Sequence, residues 1–182
     1  MYRWMLVLTV FALGCEDFGK SIDSGDTAAA ASGGGDGGGG ASGDPWADEY
    51  VQAHNNVRDT VGVAHLSWSD ELAASSLVWA DALVADNCAF EHDLDNPYGE
   101  NLYWSSWDAT PTEVTDGWSS EVAFYDYGDN SCDPGQMCGH YTQVVWDDTT
   151  HVGCAKSACT DGSVVQVCRY DPPGNWVGEK PY

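Results

Sequence analysis

Apolar residues recur at intervals of three and four in three stretches of the chain, and this period predicts three helices. The first is expected from Pro45 to about Asp59, because Asp44 is a good N-cap and proline is favoured in the first turn. The second follows Ser69, and the third opens at Thr110 with a capping-box pattern. Their stripes are formed by Trp46, Tyr50, Ala53, His54 and Val57, by Leu72, Ala73, Ser76, Leu77, Ala80, Leu83 and Val84, and by Val114, Trp118, Glu121, Val122 and Tyr125.

Towards the C-terminus the pattern changes to short runs rich in β-branched and aromatic residues, which predict strands. These runs are HYTQVVW at 140–146, HVGCAKS at 151–157 and VVQVCRY at 164–170. Asp161 and Gly162 between the last two form a strong hairpin signal, and that hairpin would bring Cys154 and Cys168 nearly opposite each other. Helices followed by an antiparallel sheet indicate an α+β layered domain.

The first 44 residues carry signals of export rather than of a packed core. Residues 1–14 contain a basic residue and then an apolar run too short to span a bilayer, which predicts a secretory signal peptide. The sequence ALGC at 12–15 resembles a bacterial lipobox, which implies a lipid anchor at Cys15; plain secretion is the alternative. Residues 15–44 are rich in Gly, Ser, Ala and Asp and predict a flexible tether. The folded domain is expected at 45–182, outside the cell or on a bacterial surface.

The net charge limits which classes of partner the protein can bind. Six Lys and Arg stand against 29 Asp and Glu, a formal net charge of -23, which repels phosphate backbones and anionic head groups. Nucleic acid is therefore excluded as a partner, and contact with a membrane is expected only through the lipid anchor. Two readings of the acidity remain, a solvated surface and attraction of cations. The protein is expected to be a monomer.

The cysteines support export. Seven are present, and setting Cys15 aside leaves six in the predicted domain, which suits three disulfides in an oxidising compartment. Structural zinc held by thiolates is not expected, because the sequence contains no C-x-x-C pair.

Ionisable side chains on apolar stripes are the first chemical clue. His54 lies on the apolar face of the first predicted helix and Glu121 on that of the third. A buried carboxylate is costly without a donor, a cation or water, and His140 at a predicted strand start is a candidate donor. For any one such residue the alternative is a core side chain satisfied by packing and hydrogen bonds.

Motifs spread over the predicted domain resemble the CAP superfamily, which includes cysteine-rich secretory proteins, insect venom allergens and plant pathogenesis-related proteins. The matching segments are HNNVR at 54–58, PYGENLYW at 97–104, CGHYTQVVW at 138–146, HVGCAKSAC at 151–159 and CRYDPPGNWVGEKPY at 168–182. The resemblance is greatest to the plant pathogenesis-related branch. It implies a three-layer α-β-α sandwich with a central antiparallel sheet and a cleft on one side.

The resemblance also implies particular residues. His54, Glu100, Glu121 and His140 would converge in the cleft, and Glu100 is known from the resemblance alone. The implied disulfides are Cys88–Cys159, Cys132–Cys138 and Cys154–Cys168, the last in agreement with the hairpin. Two imidazoles and two carboxylates suit Zn²⁺ or another divalent metal, but a metal-free hydrogen-bond network explains the same residues equally well. No other cofactor is expected.

Several functions remain open at this stage. Relatives imply capture of a lipid, a sterol or another small ligand in an apolar groove, for which Trp104, Trp107, Trp118 and Trp176 are candidates. A metal-dependent hydrolase is an alternative, although the sequence contains neither HExxH nor G-x-S-x-G. An inert adhesion or signalling module is the third. Binding is favoured over catalysis.

Overall fold

The structure is a computed structural model and describes residues 42–182. The predicted signal peptide, the lipid attachment at Cys15 and nearly all of the tether lie outside the described residues. No helix in the described part is long and apolar enough to cross a membrane.

The three predicted helices are confirmed, and their caps explain where they begin. Helix α1 spans Pro45–Asp59, and the Asp44 carboxylate accepts the N–H of Trp46. Helix α2 spans Asp70–Ala85 and begins after Ser69, whose hydroxyl accepts from the Leu72 N–H. Helix α3 spans Pro111–Ser119 with both bonds of the capping box between Thr110 and Glu113. The chain then tightens into a 3₁₀ turn at Ser120–Phe124, so Glu121 lies just beyond α3.

The predicted strand at 140–146 is wrong. Residues Gly139–Val144 form a short helix, α4, which puts the start of the GHYTQ motif in a helical first turn. Tyr141, Val144 and Val145 are each at most 2% exposed, a three-and-four spacing that packs one helical face into the core. Tertiary packing therefore overrides the β-propensity of these residues.

Within residues 42–182 six strands complete the fold: β1 at Ser67–Trp68, β2 at Gly99–Ser105, β3 at Tyr125–Asp126, β4 at Ser131–Cys132, β5 at His151–Ala158 and β6 at Val164–Asp171. The main sheet has the order β1-β5-β6-β2, in which only the short β1 runs parallel to its neighbour β5. The predicted β5–β6 hairpin is confirmed, with Cys154 opposite Cys168. Strands β3 and β4 pair separately.

The sheet lies between two helical layers, as the α-β-α prediction requires. One apolar cluster joins the sheet to α1, α3 and α4 through residues such as Tyr50, Val114 and Val144. A second cluster packs α2 on the other face through Leu83 and Val165. We call these two sides the cleft face and the α2 face. The three predicted disulfides are present: Cys88–Cys159, Cys132–Cys138 and Cys154–Cys168.

Candidate functional site

Glu121 and His140 meet on the cleft face. One oxygen of the Glu121 carboxylate accepts the Nδ1–H of His140 at 2.6 Å, and the other accepts the backbone N–H groups of His140 and Tyr141 at 2.9 and 3.1 Å. These are first-turn amides of α4, which have no acceptor within the helix itself. Glu121 therefore caps α4 and orients the imidazole with the same carboxylate.

This contact determines which nitrogen of His140 is open. Because an ionised carboxylate can only accept, Nδ1 carries the proton and Nε2 of the neutral ring keeps its lone pair. Within residues 42–182 no protein group hydrogen-bonds Nε2, and the side chains of His140 and Glu121 are each 14% exposed. A carboxylate–imidazole pair with one open nitrogen is the arrangement that metal-binding histidines use.

His54 lies in the core nearby, but both of its nitrogens are engaged. Nδ1 is 2.8 Å from the Tyr50 carbonyl oxygen and Nε2 is 2.8 Å from the Tyr170 hydroxyl. A carbonyl can only accept, so Nδ1 donates and Nε2 accepts from the phenol. The ring is fully buried. Burial lowers the pKa of His54 to about 4, against a smaller raising effect of the Tyr50 carbonyl.

Asn101 connects these two histidines through hydrogen bonds, a role that the sequence pattern did not predict. Its side-chain amide donates to the His140 carbonyl and to the Tyr170 hydroxyl, both at 3.1 Å. Tyr170 is fully buried, and burial raises its pKa, so the phenol stays protonated and can donate to His54. Successive side chains of a strand point to opposite faces, so Asn101 must point away from the side that Glu100 faces. This alternation was the signal by which the sequence could have identified Asn101.

Glu100 is on the α2 face, away from the other three residues. It pairs across strands with Arg169, whose guanidinium also donates to Ser75 of α2. Oε1 of Glu100 accepts from His92 Nδ1 at 2.9 Å, and Oε2 lies 3.5 Å from Nη2 of Arg169. The structure thus brings Glu121 and His140 into contact. The indole of Trp118 packs against the rings of both His54 and His140. Glu100 points to the other side of the sheet.

The four-residue metal set does not fit this arrangement. Among residues 42–182, no group of three or more His, Cys, Asp or Glu side chains is placed to hold a metal ion. His54 has no free lone pair, the Glu121 oxygens accept three hydrogen bonds, and Glu100 faces α2. What remains open on the cleft face is Nε2 of His140.

Arg58, from the HNNVR segment, fixes the far end of α4. It is fully buried and donates to the backbone carbonyls of Ala64, Val144, Trp146 and Thr149 at 2.6 to 3.1 Å. Burial lowers the pKa of Arg58 to about 10, which leaves it charged at neutral pH. Glu121 at the first turn and Arg58 at the last turn therefore hold α4 from both ends.

Grooves on the surface are the other candidate sites. One groove of about 480 Å³ lies between the start of α1, β5 and α2, and we call it the tryptophan groove. It is lined by Trp46, Trp68, Ala47, Ala73, Ala74, Leu77, Cys154 and Ala155, with Ser42, Asp44, Asp70 and Lys156 also lining it. A space of about 270 Å³ lies between α1 and α3, and one of about 350 Å³ lies beside Trp176.

Of the tryptophans expected to line grooves, Trp118 is in the core. It is 2% exposed and its indole N–H donates to the Leu102 carbonyl at 3.0 Å. Trp176 lines a space whose other walls mix polar side chains with aromatic residues and cysteines, and Trp104 and Trp107 are about half exposed. Trp46 and Trp68 line the tryptophan groove instead, although the sequence pattern places Trp46 on a core-facing stripe and gives no signal for Trp68.

The fold, the three disulfides and the motif positions define a class of protein. A family model described as "CAP: Cysteine-rich secretory protein family" matches residues 51–170. The chain belongs to this family.

Two similar curated proteins come from plants. Pathogenesis-related protein PR-1 of Medicago truncatula is 44% identical over 139 residues, covering 74% of this chain and 78% of the relative. Pathogenesis-related protein 1A of Nicotiana tabacum is 46% identical over 135 residues, with 74% and 79% covered. The predicted resemblance to the plant pathogenesis-related branch is confirmed.

Solved structures agree on the fold. The crystal structure of Na-ASP-1 superposes with a TM-score of 0.65 at 23% identity, over 76% of this chain, and this chain spans 41% of that protein. Venom allergen-like protein 4 of Schistosoma mansoni gives a TM-score of 0.63 at 22% identity, with 76% and 94% covered.

Proposed function

We propose that this CAP-domain protein acts by binding a small apolar ligand, of the lipid or sterol class, in the tryptophan groove. The observation that carries the proposal is the groove itself, since its volume of about 480 Å³ is within the range of small-molecule sites. Two indoles, Leu77 and small alanines line it, a surface that excludes water readily. Leu77 is 45% exposed although it is apolar, so a ligand could cover it.

The polar groups of the groove indicate what the ligand carries besides its apolar body. Nε1 of Trp46 is buried and has no hydrogen-bond partner among the described residues. An indole N–H usually finds an acceptor when it is buried. An amphiphile whose hydroxyl or carbonyl oxygen reached this N–H after a small shift of the groove wall would satisfy it, as a sterol or a fatty acid could.

The expected affinity is modest. Each 100 Å² of ligand apolar surface removed from water contributes about 2.5 kcal/mol, from which the loss of ligand freedom must be subtracted. An open groove covers only part of a sterol or an acyl chain. Dissociation constants around the micromolar range are therefore expected, at about 8 kcal/mol of binding free energy.

A fluorescent fatty acid and a fluorescent sterol, titrated into the purified domain, test the proposal. Leu77→Asp places a charge in the groove and should weaken binding about tenfold, because that carboxylate would be desolvated by the ligand. Val78→Asp is the matched control on the same helix, at a position 72% exposed and outside the groove lining, and should bind as the wild type does.

Two results would reject this assignment. The function is rejected if neither probe binds the wild type saturably. The location is rejected if Leu77→Asp binds normally while Val122→Asp, in the space between α1 and α3, does not.

A second candidate, divalent-metal binding, is favoured by the open Nε2 of His140. Glu121 holds that ring in the tautomer a metal needs, and water or a ligand would have to supply most of the remaining coordination. Weak Zn²⁺ binding is therefore expected, and calorimetry should show it lost in His140→Ala. Equal heats for wild type and variant would remove this candidate.

Export and anchoring are part of the same proposal. Three disulfides fit an exported protein, and we place the domain outside the cell on a tether attached at Cys15. Mass spectrometry of protein from its own cells tests the anchor, since an N-terminus without added acyl mass would contradict it.

A further inference from the structure

We infer that the tryptophan groove selects amphiphiles with a positively charged head group, such as a long-chain alkylammonium, over those with a carboxylate. This selectivity rests on the function proposed above and specifies the chemical class of its ligand. Two carboxylates of the groove lining, Asp44 and Asp70, would attract the head group. The apolar chain of the ligand would lie against the indoles of Trp46 and Trp68.

Hydrogen bonds place each of these carboxylates beside one of the two tryptophans. Oδ1 of Asp44 accepts the backbone N–H of Trp46 at 3.0 Å. Oδ1 of Asp70 accepts the Nε1–H of Trp68 at 2.9 Å. The two indole rings meet edge to face, with their centroids 6.4 Å apart. The second oxygen of each carboxylate has no hydrogen-bond partner among residues 42–182, so it can accept from a ligand.

The basic side chain in the lining, Lys156, is already paired. Its Nζ lies 2.5 and 2.7 Å from the two carboxylate oxygens of Asp108. An anionic head group would have to displace Asp108, which exchanges one exposed ion pair for another and gains little affinity. The same ammonium group lies 5.7 Å from the centroid of the Trp46 ring, within the range of cation–π attraction. The protein's own alkylammonium group therefore fits beside this indole.

Two helix N-termini reduce the negative charge of the groove without cancelling it. Helices α1 and α2 both begin at the groove, and each N-terminus is equivalent to about half a positive charge. Asp44 and Asp70 contribute a full negative charge each, while Asp108 balances Lys156. The groove is left with about one negative charge, which attracts an ammonium group and repels a carboxylate.

The net charge of the whole protein would also favour cations. With 29 Asp and Glu against six Lys and Arg, much of the surface attracts positively charged molecules. Binding in the groove differs from this general attraction in two measurable ways. It depends on two particular carboxylates, and it requires an apolar chain that reaches the indoles.

Three amphiphiles with the same chain and different head groups test the selectivity by calorimetry at neutral pH: decylammonium, decanol and decanoate. At low salt the wild type should bind decylammonium about tenfold more tightly than decanoate, with decanol between them. High salt should reduce this difference, because it screens contacts between exposed charges. Ethylammonium, which has the head group without the long chain, should give no saturable binding.

A double variant, Asp44→Asn with Asp70→Asn, removes both charges and keeps both hydrogen bonds, since asparagine is a good N-cap and its amide oxygen accepts. The tenfold preference for decylammonium should be lost in it. Glu71→Gln with Asp86→Asn is the matched control. It makes the same change in net charge at exposed residues of α2 and its C-cap that do not line the groove, and it should keep the preference.

The selectivity is overturned if decanoate binds the wild type as tightly as decylammonium does. It is also overturned if the control loses the preference as far as the double variant does, because the whole surface would then attract the cation. Decanol separates these results from the proposed function. If it binds saturably and Leu77→Asp weakens its binding, the function of the groove stands although the charge selectivity is rejected. If none of the three amphiphiles binds, both are rejected.

Discussion

The two faces of the sheet carry nearly the same polar motif in different electrostatic settings. On each face a glutamate accepts from an imidazole Nδ1 and from backbone N–H: Glu121 with His140 on one side, Glu100 with His92 on the other. The α2 face adds Arg169, whereas the Glu121 carboxylate is balanced by the amides of α4. The comparison shows that a shared set of residue types does not define a shared site. The two pairs differ in what compensates the carboxylate, which is the Arg169 guanidinium for Glu100 and the backbone amides of α4 for Glu121, while Nε2 of each imidazole has no protein partner among residues 42–182.

The largest expected effect comes from removing that cation. Arg169→Ala removes the guanidinium that Glu100 and Asp93 share, and we expect a loss of about 3–5 kcal/mol in the free energy of unfolding. Urea denaturation followed by circular dichroism measures it. Lys156→Ala removes an exposed pair with Asp108 and should cost under about 1 kcal/mol. Equal costs for the two variants would show that the buried ion pairs of Arg169 stabilise the fold no more than an exposed pair does.

The free energy of unfolding, measured as a function of pH, should distinguish the buried His54 from the half-exposed His92. The folded-state pKa of His54 is about 4, below the usual value of 6.5, so the unfolded chain binds more protons between these values. Stability due to His54 is complete above pH 6.5 and is lost as the pH falls through 4, by about 3 kcal/mol in all.

The control for this titration is a variant without the group. His54→Gln should be less stable at neutral pH but should lack that part of the acid dependence between pH 6.5 and 4. His92→Gln should keep it. Parallel stability curves for wild type and His54→Gln across this window would contradict a neutral, buried His54.

The smallest expected effect is the loss of charge at the cap of α4. Glu121→Gln keeps one acceptor oxygen but weakens three hydrogen bonds, and should lower the free energy of unfolding by about 1–2 kcal/mol. Glu113→Gln alters the exposed capping box of α3 and should cost less, since water can replace that bond. Thermal melts of the two variants measure the difference. A larger loss at Glu113 would mean that α4 does not depend on Glu121.

The parts of the fold that the sequence predicts are those whose signals lie within a few residues of the element itself. Helices α1, α2 and α3 begin at Asp44, Ser69 and Thr110, because a capping side chain acts within three residues of itself. Helix α4 was missed because its cap, Glu121, comes from a distant part of the chain, while its own residues favour strands. The side on which Glu100 lies could not be read locally either, since it depends on pairing with β6.

The contacts of Arg58 have a consequence for the order in which the chain can fold. Arg58 belongs to the first helix, but three of its four acceptors are the carbonyls of residues 144, 146 and 149. Closing loops of that length costs entropy before the contacts stabilise anything. As the chain is synthesised, α1 must therefore wait for the last third of the protein before its buried charge is satisfied, and completion of the domain becomes a late and cooperative step.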